Sequence, residues 1–210
     1  LDESEHFNDI CVVLGQNEMC NLAIRKALQN HSVTYAINKE SREDNNFLSL
    51  ITAIDANKTN SPAGMLVVES DCIFGRSDIN SIINASKKDE IIWANIGEKK
   101  IEQAGGLLFC KKNNNNIYHI DKIKIVKDPL LDSVLSNQYK FIMKMFGLTF
   151  FGANALKQYI LLADKYRSKK NIYFHQPIMD NIKNFNNLSD KMSSKSKSFN
   201  TISEYNESNE

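Results

Sequence analysis

Apolar and polar positions alternate in blocks along the first third of the chain. The run "DICVVLG" (9–15) is unbroken and apolar until its closing glycine, the pattern of a buried strand. The next block, "NEMCNLAIRKALQN" (17–30), spaces Met19, Leu22, Ala23, Ile24, Ala27 and Leu28 as one side of a helix, with Asn17 placed to cap it. "SVTYAIN" (32–38) predicts a second strand. "DNNFLSLITAIDAN" (44–57) predicts a second helix, with Leu48, Ile51 and Ile54 or Ala53 turned inward. "GMLVVES" (64–70) predicts a third strand, and "SDINSIINAS" (77–86) a third helix capped by Ser77 or Asp78. Unbroken apolar strands alternating with helices predict an α/β, three-layer sandwich whose central sheet is mostly parallel.

After residue 88 the rhythm changes. "DEIIWANIG", "GGLLFCKK", "NIYHIDKIKIV" and "FIMKMFGLTFFG" follow as successive strand-like runs, with "KKNNNN" between two of them as a hairpin tip. A long helix is expected over 153–170 and a shorter one over 174–185. Residues 1–187 then make one domain. Residues 188–210, "LSDKMSSKSKSFNTISEYNESNE", read as a polar, flexible tail or the start of a last motif.

Composition narrows the classes. With 210 residues and 42% hydrophobic content, the chain can bury a full core. Lys+Arg 26 against Asp+Glu 25 gives a formal net charge of +1, which argues against nucleic acid or an anionic membrane as partner. No apolar run reaches the roughly 18 residues of a spanning helix. The acidic opening "LDESEHFNDI" is not a signal peptide. Cys11, Cys72 and Cys110 sit in apolar runs without CxxC spacing, as buried thiols of a reducing compartment do; the cytoplasm is the expected location.

The third strand raises the chemical question, because it ends on Glu69-Ser70-Asp71. Ligands of open parallel sheets bind beyond the carboxyl ends of the strands. An Asp there either starts a turn or caps the next helix, or it meets magnesium, which takes one or two carboxylates and fills its remaining positions with water and phosphate oxygens. Elsewhere the bland readings stand first. His119 and His175 lack triad-like partners, Trp93 reads as core, and Lys111 and Lys112 as solvated. Lys144, before a strand end, is placed to reach a phosphate. "KYRSKK" puts cations at a helix C-terminus.

Taken in order, these segments resemble the sugar- and alcohol-phosphate nucleotidyltransferases, which share a glycosyltransferase-A-like fold, and among them the small cytidylyltransferases for phosphocholine and aminoalkyl phosphonates. "MLVVESDCIFGRSDINSII" is similar to the family's "llVvEGDviF" strand and the helix after it, with Ser70 in place of glycine. "VTYAIN" and "KESREDNNFLSLITA" are similar to its strand ending in Asn and its "TNN..SL..A" segment, with Asn38, Asn45, Asn46, Ser49 and Leu50 in register and Asp44 for Thr. "MKMFGLTFFGANALKQYI" looks like the family's strand before a long helix. The resemblance spans about residues 8–185.

What the resemblance implies is transfer of a nucleoside monophosphate, CMP from CTP, to a phosphate- or phosphonate-bearing small molecule, with magnesium as cofactor. Asp71 would hold the metal, together with Glu207 in "SEYNESNE"; Asn46, Ser49 and Lys144 would touch substrate. "DNN" before an apolar run also reads as plain helix capping. A homodimer is open. The family's strand with "LAAG.G.R" and its "PK" segment have no counterpart in these residues. The 210 residues alone are therefore expected to transfer nucleotide negligibly. Two alternatives stay open. One is a glycosyltransferase using Glu69-Ser70-Asp71 as an acid-x-Asp site for a sugar nucleotide. The other is a non-catalytic binding protein of nucleotidyltransferase fold.

Overall fold

The computed structural model describes residues 7–44, 46–57, 64–85, 87–98, 105–112, 118–126, 139–193 and 196–199. The chain divides into two compact units, Leu1–Ser61 with Leu161–Pro177, and Pro62–Ile160 with Ile178–Glu210.

In the first unit, strands β1 (Cys11–Leu14) and β2 (Thr34–Ile37) pair in parallel, Cys11 opposite Thr34. Helix α1 (Glu18–Ala27) connects them and starts where Asn17 Oδ1 accepts the Cys20 N–H at 3.2 Å. Helix α2 (Phe47–Ala56) buries Phe47, Leu50 and Ile51. Its cap differs from the simplest reading of "DNN". Asn46, at φ 85°, makes no side-chain cap bond. Asp44 does the capping: Oδ1 accepts the Leu48 N–H at 3.0 Å, and Oδ2 accepts the Ser49 N–H at 2.8 Å. Oδ2 also accepts from Ser49 Oγ at 3.0 Å and from the buried Asn38 Nδ2 at 2.9 Å. The later segment of this unit packs the Tyr166 ring 6.5 Å from that of Phe47. Arg167 there forks onto Asp55 Oδ2 at 2.7 Å and Oδ1 at 3.1 Å, and onto Asp164 Oδ1 at 2.7 Å.

The second unit holds β3 (Gly64–Val68), β4 (Cys72–Ile73), α3 (Arg76–Ala85), β5 (Glu90–Glu98), β6 (Gly105–Lys112), β7 (Tyr118–Val126) and β8 (Phe141–Gly152). After α4 (Ala153–Ala163) and α5 (Gln176–Asp180) come β9 (Asn186–Lys191) and β10 (Lys197–Ser198). The helix expected over 153–170 is α4 followed by a 3-10 turn (Asp164–Tyr166), and the one expected over 174–185 is α5 followed by a 3-10 turn (Ile182–Asn184). Six strands form one sheet in the order β3-β8-β5-β9-β7-β6, and β6 also pairs β8. Pairings from β8 through β5, β9, β7 and β6 thus close into a ring.

The α/β class holds, and the strands expected near 10–15, 33–37 and 65–69 are present. The mostly parallel sheet needs correction. In the six-stranded sheet β5–β9 is parallel, whereas β3–β8, β5–β8, β6–β7, β6–β8 and β7–β9 are antiparallel. Apolar runs report that both faces are covered; they do not report which strand lies alongside. Here β8 inserts between β3 and β5, which run in the same direction.

β9 lies in what reads as a polar stretch. Beside the apolar Leu188, its buried side chains are polar yet satisfied: Asn187 Oδ1 accepts from Trp93 Nε1 at 3.0 Å, and Ser189 Oγ accepts from Asn95 Nδ2 at 2.8 Å and donates to the Trp93 carbonyl at 3.1 Å. Trp93 is accordingly core, with its ring fully buried. Around this ladder Ile82 of α3 joins Ile92, Ala94, Phe146, Leu148, Leu188 and Met192 in the main core. Leu107, Phe109 and Val126 form a second cluster under Tyr139 and Ile142.

Asp44→Ala should lower stability by about 2 kcal/mol, the upper range for a lost helix cap, read as a lower urea midpoint with unchanged slope. A shift within error of wild type would show that Asp44 does not set the start of α2.

Candidate functional site

Strand β8 gives the same edge to two strands in turn. Its first residues pair β6, from Leu107 opposite Lys144 to Cys110 opposite Phe141. Its last residues pair β3, from Gly64 opposite Gly152 to Val68 opposite Leu148. Residues 145–147 lie where one partner leaves and the other arrives. There the Gly147 carbonyl accepts the Glu69 N–H at 2.8 Å, the first bond beyond β3. The chain then turns through Ser70 and Asp71 into β4, so the acidic end of the third strand sits at a fork in the sheet.

The fork is tightly packed on one side. A Cβ on Gly147 would lie 2.5 Å from Cys72 Sγ and 2.8 Å from Glu69 Cβ, so only glycine lets β3 and β4 approach β8 here. Lys144 sits on the other side of the opening. Its ammonium lies over Gly105, where a Cβ would come within 2.4 Å of Nζ, and Gly105 holds a φ of +96°. The Gly105-Gly106 pair that begins an apolar run is the sequence signal for this close approach.

Glu69 is the electrostatic centre. Burial, and then the negative charge of Asp71, push its carboxyl up from an ordinary 4.5 to about 7, against the pull of the Lys144 ammonium. Burial and the neighbouring Asp71 likewise push the Cys72 thiol up to about 12, so it is an inert neutral thiol. Its Sγ lies 3.7 Å from Asp71 Oδ1. Asp71 itself is half-buried in the turn between β3 and β4. It does not cap α3; Asp78 does, accepting the Gly75 N–H at 3.0 Å.

The second unit thus brings Glu69, Asp71 and Lys144 together. Asn46 and Ser49 belong to the first unit, at the start of α2. Asn46 Oδ1 accepts the Phe174 N–H at 2.9 Å, and Ser49 is tied to Asp44 and Asn38. Asn45 and Glu207 lie outside the described residues. Among the histidines, His119 is exposed on β7, and His175 is fully enclosed, with burial lowering its imidazole to about 3. Lys111 is paired with Asp121 at 2.5 Å. All four cysteines are free thiols.

No group of three or more His, Cys, Asp or Glu that could hold a metal occurs among the described residues. A carboxylate pair suits a different arrangement, a magnesium ion that arrives with a polyphosphate and needs one or two protein oxygens. The donor set fits that ion: two acids two residues apart, one of them with its carboxyl raised by burial and by the charge of the other. No helix among the described residues is long and apolar enough to cross a membrane.

Comparison with known proteins places this geometry in a family of folds. No family model matches the chain, and no curated protein matches it by sequence. Solved structures do match. CTP:phosphocholine cytidylyltransferase from Streptococcus pneumoniae superposes with a TM-score of 0.67 at 14% identity, covering 98% of this chain and 78% of that one. Inositol-1-phosphate CTP transferase from T. maritima gives 0.62 at 13% identity, over 91% and 70%. 4-Diphosphocytidyl-2C-methyl-D-erythritol synthase from Anaerococcus prevotii gives 0.63 at 11%, over 99% and 80%. The fold is that of the nucleotidyltransferases.

Glu69 makes stability depend on pH in a defined direction. Between 4.5 and about 7 the folded protein retains a proton that the unfolded chain has released, so stability falls as pH rises through that window. Glu69→Gln cannot ionise. In EDTA it should match wild type near the lower limit and exceed it by up to about 3 kcal/mol above the upper one. A difference that stays constant with pH, read from thermal melts, would contradict the placement of Glu69.

Proposed function

We propose that this chain is a nucleotidyltransferase-like domain that in intact form moves CMP from CTP to a phosphate- or phosphonate-bearing small molecule, with magnesium brought in on the nucleotide, and that these 210 residues alone bind nucleotide but transfer it negligibly. The observation that carries the reading is the carboxylate pair Glu69 and Asp71 at the fork of β8, beside the half-buried cation Lys144, in a chain with this fold. The resemblance to cytidylyltransferases, and the CTP in the names of two of the matched structures, favour cytidine over other nucleotides.

The chemistry asks little covalent work of the protein. An acceptor oxygen attacks the α-phosphorus in line and pyrophosphate leaves. Magnesium, when bound there, would supply neutralisation of phosphate charge. Asp71 is the residue that would hold the ion. Glu69, two residues away, would add a second carboxylate to the site. Lys144 lies close against Gly105, and its ammonium would attract the anionic group of the acceptor. Asn46 and Ser49, both on the first turn of α2, would hydrogen-bond nucleotide or acceptor through whatever capacity their structural bonds leave.

The coupling of Glu69 to Asp71 favours one second reading, an acid-x-Asp site for a sugar nucleotide in a glycosyltransferase of related fold. Nucleotide choice separates the two readings.

Titration calorimetry with CTP and with UDP-glucose, each with and without magnesium, provides the test. CTP should bind in a magnesium-dependent way. Asp71→Asn should abolish that dependence while leaving the thermal midpoint nearly unchanged. Equal magnesium-dependent binding by the Asn variant would remove Asp71 from the site, and preference for UDP-glucose would favour the second reading. Lys144→Ala should weaken capture of a phosphorylated acceptor by about tenfold or more, the scale of a lost charge-assisted hydrogen bond, without altering CTP affinity. A fall in CTP affinity of the same size would reassign the lysine to the nucleotide.

A further inference from the structure

Asp78 lies seven residues beyond Asp71 and is buried, 3% exposed, yet among the described residues it makes no ion pair. Its carboxylate accepts four hydrogen bonds instead. Oδ1 takes the Ser193 N–H at 2.7 Å. Oδ2 takes Ser196 Oγ at 2.5 Å, the Gly75 N–H at 3.0 Å and Ser193 Oγ at 3.1 Å. Burial pushes this carboxyl up, but the donors from Ser196, Ser193 and Gly75 together outweigh it and hold the group below its ordinary value.

One of these bonds serves helix α3. The side chain reaching back to Gly75 completes a capping-box arrangement at the helix start. The other donors belong to a segment more than a hundred residues away in sequence. That segment leaves β9 through the Met192 N–H to Asn95 carbonyl bond, turns at Ser193 and Ser196, and becomes β10. β10 pairs antiparallel with β4, Lys197 opposite Ile73 and Ser198 opposite Cys72. One residue further the Phe199 N–H donates to the Asp71 carbonyl at 2.9 Å. The pairing has two residues on each strand, too few to hold alone. What fixes its start is the knot at Asp78.

We propose that Asp78, acting through Ser196 and the Phe199–Asp71 backbone bond, is a positioning residue that sets where the Asp71 carboxylate points. The inference rests on the reading of Asp71 as the residue that meets the metal–nucleotide. An ionised acid suits this role better than an amide, because all four neighbours are donors and an amide nitrogen would oppose the Gly75 N–H. Removing Ser196 Oγ leaves Ser193 and Gly75 to satisfy Asp78, so a Ser196 variant retains the α3 cap and the fold.

The experiment uses the full chain and four proteins: wild type, Ser196→Ala, Ser196→Thr and Asp71→Asn. Amide exchange at Phe199 reads the clamp, and Mn(II) electron paramagnetic resonance in the presence of CTP reads the site. In Ser196→Ala, the Phe199 amide should exchange about tenfold faster or more, the scale of one hydrogen bond to a charged group. Mn(II)–CTP affinity should fall several-fold, amides of β5 and β8 should keep their protection, and Ser196→Thr should restore both readouts. Unchanged exchange at Phe199 overturns the clamp. Faster exchange with unchanged Mn(II)–CTP affinity, while Asp71→Asn lowers that affinity, overturns positioning and leaves the site reading standing. If Asp71→Asn leaves affinity untouched, the site reading fails and takes the positioning role with it.

Discussion

One edge of β8 cannot serve two strands at the same place, and the second unit is organised around that constraint. β6 takes the edge up to Lys144 and β3 takes it from Leu148. The three residues between them open the sheet, and everything with chemical interest is arranged around the gap. Glu69 bonds to the Gly147 carbonyl as β3 departs. Gly147 is bare so that Cys72 and Glu69 can crowd against it, and Gly105 is bare so that Lys144 can lie across it. Acids on one bank and a lysine on the other follow from where the two partner strands end.

The gap needs a rigid surround. The ring of pairings from β8 through β5, β9, β7 and β6 provides it, with polar side chains inside. Asn95, Asn187 and Ser189 are all buried, and their bonds to one another's strands tie β5 to β9. A satisfied buried amide is strongly position-specific, because any slip in register would leave donors and acceptors unmatched in a medium of low dielectric. Apolar residues alone would tolerate such slippage more readily.

Much of this was legible in the residues. Unbroken apolar runs closed by Gly or by acids mark β1, β2 and β3, and helical spacing with Asn17 at its head marks α1. The order of those segments carries the likeness to nucleotidyltransferases, which the superpositions bear out at the level of fold. Other features were hidden for physical reasons. β9 reads as polar tail because two of its three buried positions are Asn187 and Ser189, whose burial depends on partners about ninety residues away. The antiparallel insertion of β8 between β3 and β5 leaves no local trace. Asp44 rather than Asn46 caps α2 because Asn46 takes a left-handed backbone and turns its side chain to Phe174. At Asp78, capping was visible from spacing, but its bonds to Ser193 and Ser196 were not, since a hydroxyl-rich stretch of sequence gives no sign of what it folds onto.

Asp71 shows how little of a site is a property of one residue. Its carboxylate is half-buried, its carbonyl is bonded to Phe199, and its charge helps keep a proton on Glu69. Each influence comes from a different part of the unit. Together they make the turn after β3 a place where a cation would relieve unfavourable electrostatics. The most direct test is crystallographic. Crystals grown with CTP and Mn(II) should show an anomalous peak about 2 Å from an Asp71 carboxylate oxygen, with nucleotide phosphates completing its coordination. A nucleotide and metal bound elsewhere, with Asp71 still facing only the Cys72 thiol, would contradict the account.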